Sequence, residues 1–302
     1  MRVTLTGASG LIGSKLVRAL QARGDEVTVL SRDPARAAAA LGVDAQAWQP
    51  LQEPAPAAAL AGRDAVVHLA GENVAQRWTS SAKEAIRASR EAGTRNLVAG
   101  LRAADADPRP ATLVSSSAVG YYGRHGDEVV DESTPPGDDF LAGVCVAWER
   151  EAERATELGL RVVRIRTGVV LDRRGGALKK MLPPFRAGVG GPVAGGRQYM
   201  PWIHADDVVG LYLAAIDGAG WSGPVNAAAP EPVTNAEFSS ALGRAIHRPT
   251  VLPVPGVALR LLYGDMAEIV TAGQRAVPRR ALELGYRFAH PELDEALADA
   301  LR

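Results

Sequence analysis

Short apolar runs alternate with helical patterns along the first half of the chain. Val3-Thr4-Leu5, Glu26-Val27-Thr28-Val29-Leu30, Ala65-Val66-Val67-His68-Leu69, Ala111-Thr112-Leu113-Val114-Ser115 and Arg161-Val162-Val163-Arg164-Ile165 read as buried strands. After the first of them, Ile12, Leu16 and Leu20 recur at helical spacing with Val17 beside them, and Gly24 stops that helix. Residues 35–41 form an Ala-rich short helix, followed by a Pro- and Ala-rich connection over 49–60. Residues 80–104 and 145–158 carry further helical patterns, the second continuing one that opens near Phe140. Strands alternating with helices predict βαβ units and a parallel sheet.

The texture changes after residue 172. Gly175-Gly176, Pro183-Pro184, Gly190-Gly191-Pro192 and Gly195-Gly196 crowd together, which predicts a loop-rich lobe in place of another βα repeat. A helix over 206–217 and a strand near 224–228 return to the sheet, and 229–302 is mostly helical between prolines. The expected architecture is therefore α/β. Residues 1–172 form a doubly wound parallel sheet to which 204–228 returns, and 173–203 with 229–302 form a small C-terminal lobe.

Composition narrows the function classes. Lys+Arg and Asp+Glu are 34 each, so no net charge marks the chain for nucleic acid or an anionic membrane surface. No run reaches the ~18 apolar residues of a spanning helix. Cys145 is the single cysteine, so no internal disulfide forms, and the start has no signal-peptide pattern; a cytoplasmic enzyme is expected.

Chemistry begins at Thr6-Gly7-Ala8-Ser9-Gly10-Leu11-Ile12-Gly13, between the first strand and the first helix. Gly7 permits a tight turn, Gly10 lets backbone approach a pyrophosphate, and Gly13 lets the helix pack against the strand. The helix N-terminus then offers free N–H groups and a favourable dipole to phosphate. This is a Rossmann-type dinucleotide site. The second strand ends in Ser31-Arg32, a hydroxyl and a guanidinium suited to a 2′-phosphate. Asp33 follows and could turn to a ribose, but NADP(H) is favoured over NAD(H).

Together these motifs resemble the extended short-chain dehydrogenase/reductases, the epimerase/dehydratase family. The spacing Gly7-x-x-Gly10-x-x-Gly13 is that family's. Asp64 to Gly71 is similar to its fourth-strand motif, and Ser115-Ser116-Ser117 with Tyr122-Gly123 to its fifth-strand serine segment. Arg166-Thr167-Gly168-Val169-Val170 and Trp202-Ile203-His204-Ala205-Asp206-Asp207 match later landmarks. Gly71-Glu72-Asn73, Trp78, Ser89-Arg90 and Leu182-Pro183-Pro184-Phe185 resemble one poorly characterised branch of epimerase-like proteins, sometimes described as cell-division-inhibitor-like. The resemblance implies cofactor contacts from Gly7, Ser9, Gly10, Leu11, Ile12, Gly13, Ser31, Arg32, Leu69, Ala70, Gly71, Arg90, Thr167 and Val170. Arg90 stands where the family often has a cofactor-facing Asn.

The family's chemistry depends on Tyr-x-x-x-Lys, in which the lysine lowers the tyrosine pKa and holds the nicotinamide ribose. The lysines are Lys15, Lys83, Lys179 and Lys180, and the residues four positions earlier are Leu11, Thr79, Gly175 and Gly176. The dyad is absent. Aligned on Glu149, Leu141 takes the tyrosine position and Cys145 the lysine position. Of the usual tetrad only a serine remains, Ser117 first and Ser116 second. Tyr121, Tyr122, His204 and Lys180 are the other candidate proton carriers. Their competing structural readings are a packed Tyr122, a surface Lys180, a His204 held by Asp206 or Asp207, and an Asp206 that caps a helix. Asn73, Lys180, Gln198 and Trp202, with Phe185, Arg197 and Tyr199, are candidates to position a substrate.

Other chemistries find no support. There is no Gly-x-Ser-x-Gly, no Walker lysine after the glycine loop, and the five histidines form no metal-spaced pair. Two functions follow. One is an NADP(H)-dependent oxidoreductase or epimerase-like enzyme acting on a carbonyl compound or nucleotide sugar, as monomer or homodimer. The other is a catalytically silent NADP(H)-binding regulatory protein.

Overall fold

The structure is a computed structural model that describes residues 1–104 and 109–302. Its centre is a sheet of seven parallel strands: β1 (Arg2–Thr6), β2 (Glu26–Ser31), β3 (Asp44–Ala47), β4 (Ala65–His68), β5 (Thr112–Ala118), β6 (Arg161–Thr167) and β7 (Gly223–Ala227). They lie in the order β7-β6-β5-β4-β1-β2-β3. The order reverses direction at β1 and β4, and this is where a doubly wound sheet opens a crevice at its carboxyl edge.

Period-two side-chain alternation sorts each strand onto two cores. Val3, Leu5, Val67, Val114 and Ile165 pack against Leu16 and Leu20 of α1 (Leu11–Ala22) and against Val208 and Tyr212 of a later helix, Ala205–Asp217. On the opposite face Val66, Leu113 and Val162 meet Leu97 and Leu101 of a long helix, Ser80–Ala103, and Ala152 of another, Phe140–Glu153. Numbered in chain order, the main helices are α1, α2 (Pro34–Leu41), α3 (Ser80–Ala103), α4 (Phe140–Glu153), α5 (Gly176–Arg186), α6 (Ala205–Asp217), α7 (Asn235–Ala245) and α8 (Leu293–Ala300).

Two elements depart from the sequence reading. β3 is an edge strand within a segment of alternating alanine and polar residues, too weakly apolar to announce itself, and it pairs with β2 from Thr28↔Asp44 to Ser31↔Ala47. The glycine- and proline-crowded stretch is no simple loop either. α5 runs through Pro183 and Pro184, because Leu178, Leu182 and Phe185 share a buried face with Trp202, Phe238, Leu242 and Leu297. Burying such side chains contributes roughly 1.5–3 kcal/mol each, enough to offset the hydrogen bonds two prolines remove.

Arg161 at the start of β6 fixes the far end of α6. Nη1 donates to the carbonyls of Ala215 (2.8 Å) and Trp221 (2.7 Å), and Nη2 to Ile216 O (3.0 Å) and Thr112 Oγ1 (2.8 Å). These contacts satisfy helix-terminal carbonyls that have no intrahelical partner. Arg161→Met should destabilise the fold by about 2–3 kcal/mol in denaturant unfolding, and Arg161→Lys should restore only part of it.

Candidate dinucleotide cleft

The first turn after β1 is shaped by what glycine lacks. Gly7 has φ +70°, and a Cβ there would stand 2.6 Å from the carbonyl carbon of Leu69. At Gly13 a Cβ would stand 2.4 Å from Gly7 O and 2.7 Å from Ala8 Cα. Both positions are therefore closed to side chains by the protein's own backbone. Gly10 differs: its single near contact is Gly7 O at 3.3 Å, so its smallness serves whatever approaches from outside. Gly10 is also the N-cap of α1 and gives it no side-chain cap, leaving the first-turn N–H groups to a ligand. A cavity of about 390 Å³ opens here, bounded by Ser9, Gly10 and Leu11 and by the cations Lys15, Arg18 and Arg174.

A buried hydrogen-bond chain holds this turn to β4. Thr6 Oγ1 accepts from the backbone N–H groups of Leu69 and Ala70, at 3.2 Å each. Its proton is left for His68 Nδ1 at 2.7 Å, so the hydrogen of the imidazole sits on Nε2 and points to Thr94 Oγ1 of α3 at 2.9 Å. The chain positions Leu69, Ala70 and Gly71 against the glycine loop. The sequence reading passed over Thr6, His68 and Thr94 as supporting residues, although a polar residue closing each of two apolar strands was their signal.

At the end of β2, Asp33 caps α2 by accepting from Arg36 N at 3.0 Å, and Ser31 Oγ accepts from Asp33 N at 3.1 Å. Arg32 is exposed and makes no ion pair or hydrogen bond among the described residues. At the opposite end of the crevice Arg90 packs on Gly71, while Thr167 and Val170 lie half-buried at and beyond the carboxyl end of β6.

The candidate proton carriers separate sharply. Ser117 is buried and donates to Glu149 Oε1 at 2.7 Å. Glu149 is gripped bidentately by Arg166, at 2.8 Å to Nε and 2.9 Å to Nη2, and Arg166 Nη1 donates to Tyr122 Oη at 3.0 Å. The Tyr122 hydroxyl itself donates to Asn226 Oδ1 at 2.7 Å, and burial raises its pKa above the usual phenol value. Ser116 accepts from Tyr212 Oη at 3.0 Å. Tyr121 lies half-buried with its ring 3.4 Å from Arg166 Cζ, and its hydroxyl has no hydrogen-bond partner among the described residues. At the positions of the missing dyad, Leu141 is partly exposed and Cys145 is buried, where burial and the Glu149 carboxylate push the thiol up to about 12.

Several expected site residues have other work. His204, and not Asp206, caps α6: its Nδ1 accepts from Asp206 N at 3.2 Å, and the ring is 2% exposed. Histidine is outside the usual N-cap set, so the sequence pointed to the carboxylate. Asp206 instead pairs with Lys15 at 3.0 Å, and Asp207 accepts from the backbone of Ala289 and His290. Trp202 is 1% exposed in the lobe core and donates to Glu231 O. Gln198 Nε2 donates to Val193 O and Val270 O, and Asn73 Oδ1 accepts from Ala75 N. Lys180 is exposed and contacts Ala75 O.

Histidines dispersed in sequence do meet in the fold. His204 and His290 pack with ring centroids 3.9 Å apart and planes tilted by 44°, beside Asp206 and Asp299. Since Nδ1 of His204 takes the Asp206 N–H, its hydrogen is on Nε2, facing Asp299 Oδ2 at 3.4 Å. Lys15 pairs with Asp206 at the edge of this cluster, whose four side chains bring one nitrogen or oxygen each within 4.8 Å of one another.

Fold and cleft together define a Rossmann-type protein of the short-chain dehydrogenase/reductase pattern, with a glycine phosphate cradle and without the tyrosine–lysine pair. The chain belongs to the NAD dependent epimerase/dehydratase family, which it matches over residues 3–227; residues 254–300 match a domain of unknown function, DUF1731. It is 44% identical to the epimerase family protein Mb2239 of Mycobacterium bovis over 301 residues, covering 99% of this chain and 97% of that one. With human epimerase family protein SDR39U1, solved with NADPH, it shares 36% identity and a TM-score of 0.89, covering 99% of both chains. A nucleoside-diphosphate sugar epimerase from Corynebacterium glutamicum matches with a TM-score of 0.81 and 36% identity, over 100% of this chain and 58% of that one. Among the described residues no helix is long and apolar enough to cross a membrane.

Burial depresses His68, with the nearby Arg90 charge adding to it, from 6.5 to about 4. The native imidazole thus stays neutral where the unfolded one is protonated. Stability from this group is complete above pH 6.5 and is lost as pH falls toward 4, at about 1.4 kcal/mol per unit and roughly 3 kcal/mol in all. Denaturant unfolding from pH 7.5 to 4 should show that slope, and His68→Gln should flatten it; parallel slopes in the two proteins would refute the assignment.

Proposed function

We propose that the chain binds NADP(H) in preference to NAD(H) and acts as an oxidoreductase or epimerase-like enzyme on a small molecule, a carbonyl compound or a nucleotide sugar. One observation carries the cofactor reading: Asp33, the carboxylate that would bind a ribose 2′-hydroxyl, is committed to capping α2, while the Arg32 guanidinium is free. The residues present also fit the phosphates, through the uncapped α1 N-terminus and through Gly10, where the smallness of glycine leaves the turn open to a ligand. The NADPH in human SDR39U1 supports the same reading, and the Corynebacterium relative supports a nucleotide sugar as substrate class.

The dinucleotide, when bound, supplies hydride exchange. The protein's part is to place the substrate and move a proton at the substrate oxygen. Ser117, Tyr122 and His204 hold their hydrogen bonds inside the fold, and the buried Cys145 thiol stays protonated at neutral pH. Tyr121, with an unpartnered hydroxyl and a guanidinium against its ring, is the proton donor in this reading. The second reading, a silent NADP(H)-binding regulator, rests on Leu141 and Cys145 in the dyad positions.

Arg32→Ala should weaken NADPH binding about tenfold or more in calorimetry and leave NADH within about twofold, the loss of one charge-assisted contact. Equal losses would overturn the 2′-phosphate assignment. Tyr121→Phe should abolish turnover in an NADPH-absorbance assay across carbonyl compounds and nucleotide sugars, with NADPH affinity unchanged. Tight NADPH binding by the unaltered protein with no turnover across that panel decides for the regulator.

A further inference from the structure

Arg90 is oriented more firmly than a surface arginine and left half unpaired. It rises from α3 toward the carboxyl edge of the sheet, where Gly71 makes room for it: a Cβ at Gly71 would stand 3.2 Å from the guanidinium carbon and 3.3 Å from Nη2. Nη1 is anchored to two backbone carbonyls, Glu72 O at 3.0 Å and Ile86 O at 3.2 Å. The guanidinium lies over the Trp148 ring, 5.0 Å from its centroid. Nε and Nη2 have no hydrogen-bond partner, and Arg90 makes no ion pair, among the described residues. A planar cation fixed on one edge, with two donors remaining, is arranged to receive oxygen atoms.

The surroundings identify those oxygens. Gly71 follows Leu69 and Ala70, whose backbone touches Gly7 of the phosphate cradle, so Arg90 stands along the same crevice as the α1 N-terminus. Arg32 marks the opposite, adenosine end. Cys145 of α4, the position where the family's lysine is expected, lies within electrostatic reach of Arg90. We propose that Arg90 binds the nicotinamide-side ribose and phosphate of the dinucleotide, delivering from α3 the cation that α4 lacks. This rests on the NADP(H) reading above. A lysine at 145 would bury a second cation near the guanidinium, a desolvation cost that the uncharged cysteine does not add.

The test separates the two halves of the cofactor. Binding of NADPH and of adenosine 2′,5′-bisphosphate, which has only the adenosine end, is measured by calorimetry for the unaltered protein, Arg90→Met, Arg90→Lys and Arg32→Ala. Arg90→Met should weaken NADPH about tenfold or more and leave the bisphosphate within about twofold, which also shows that the variant folds. Arg90→Lys should recover part of the loss, and Arg32→Ala should weaken both probes. Unchanged NADPH affinity in Arg90→Met, or an equal loss of both probes, overturns the assignment. If the unaltered protein binds neither probe, the cofactor reading fails and this inference with it. If it binds both, and only the Arg90 result differs from expectation, this inference fails alone.

Discussion

Glu149 and Arg166 meet as a fully buried, bidentate ion pair at the carboxyl end of β6, and much of the cleft's chemistry is decided around it. Taking both charges out of water costs several kcal/mol each, and their attraction offsets this only where geometry is close and further hydrogen bonds complete the set. Here Ser117 and Tyr122 complete it. The same network reaches Asn226 of β7, whose side chain donates to Val277 O, so one charge pair connects α4, the central strands and the C-terminal segment. Its completeness has a consequence for catalysis. The serine and the tyrosine that sequence resemblance marks most strongly are occupied in stabilising a buried charge. Removing either would leave a carboxylate or guanidinium short of a partner.

The phosphate cradle obeys a different constraint, distance between backbones rather than charge. α1 approaches the turn after β1 so closely that Gly13 has no space for one more carbon, the segment after β4 closes in the same way on Gly7, and the Thr6–His68–Thr94 chain holds β4 and α3 to the same point. These two constraints lie at adjacent strand ends. Among the described residues the unengaged polar groups of the crevice include the first-turn N–H groups of α1 with Arg18 beside them, Arg32 at one end, and Arg90 with the Tyr121 hydroxyl toward the other.

The cradle was legible in sequence because its determinants are local: a strand, a glycine spacing and a helix are all contained within residues 2–22. The parallel sheet was legible for a similar reason, since strands buried on both faces read as unbroken apolar runs. β3 was missed because an edge strand made of Asp44-Ala45-Gln46-Ala47 needs little apolar surface, and α5 because its two prolines are overruled by packing from distant segments. The catalytic candidates were hardest to place, and each for a long-range reason. Ser117 is bonded to a carboxylate on another helix, His204 packs on a histidine near the C-terminus, and Asp33 and Arg32, adjacent in sequence, divide between a helix cap and solvent. Residue type told which groups were present; only the fold shows which remain unpaired.

The missing tyrosine–lysine pair and Arg90 bear on the same part of the cleft, since Cys145, at the lysine position, lies within electrostatic reach of Arg90. Burial beside Gly71 and Trp148 lowers the pKa of Arg90, and two carbonyls and an aromatic face stabilise its charge. A lysine at 145 would add a second cation to this neighbourhood, at a further desolvation cost. Without a lysine at 145, one turn on, a phenol at position 141 would lose its means of activation. The hydroxyl that remains open is Tyr121, reached from β5, and the guanidinium beside it belongs to the Glu149 pair. The cleft thus holds one cation, Arg90, beside Gly71 and another, Arg166, against a phenol, supplied from α3 and β6 instead of from one helix.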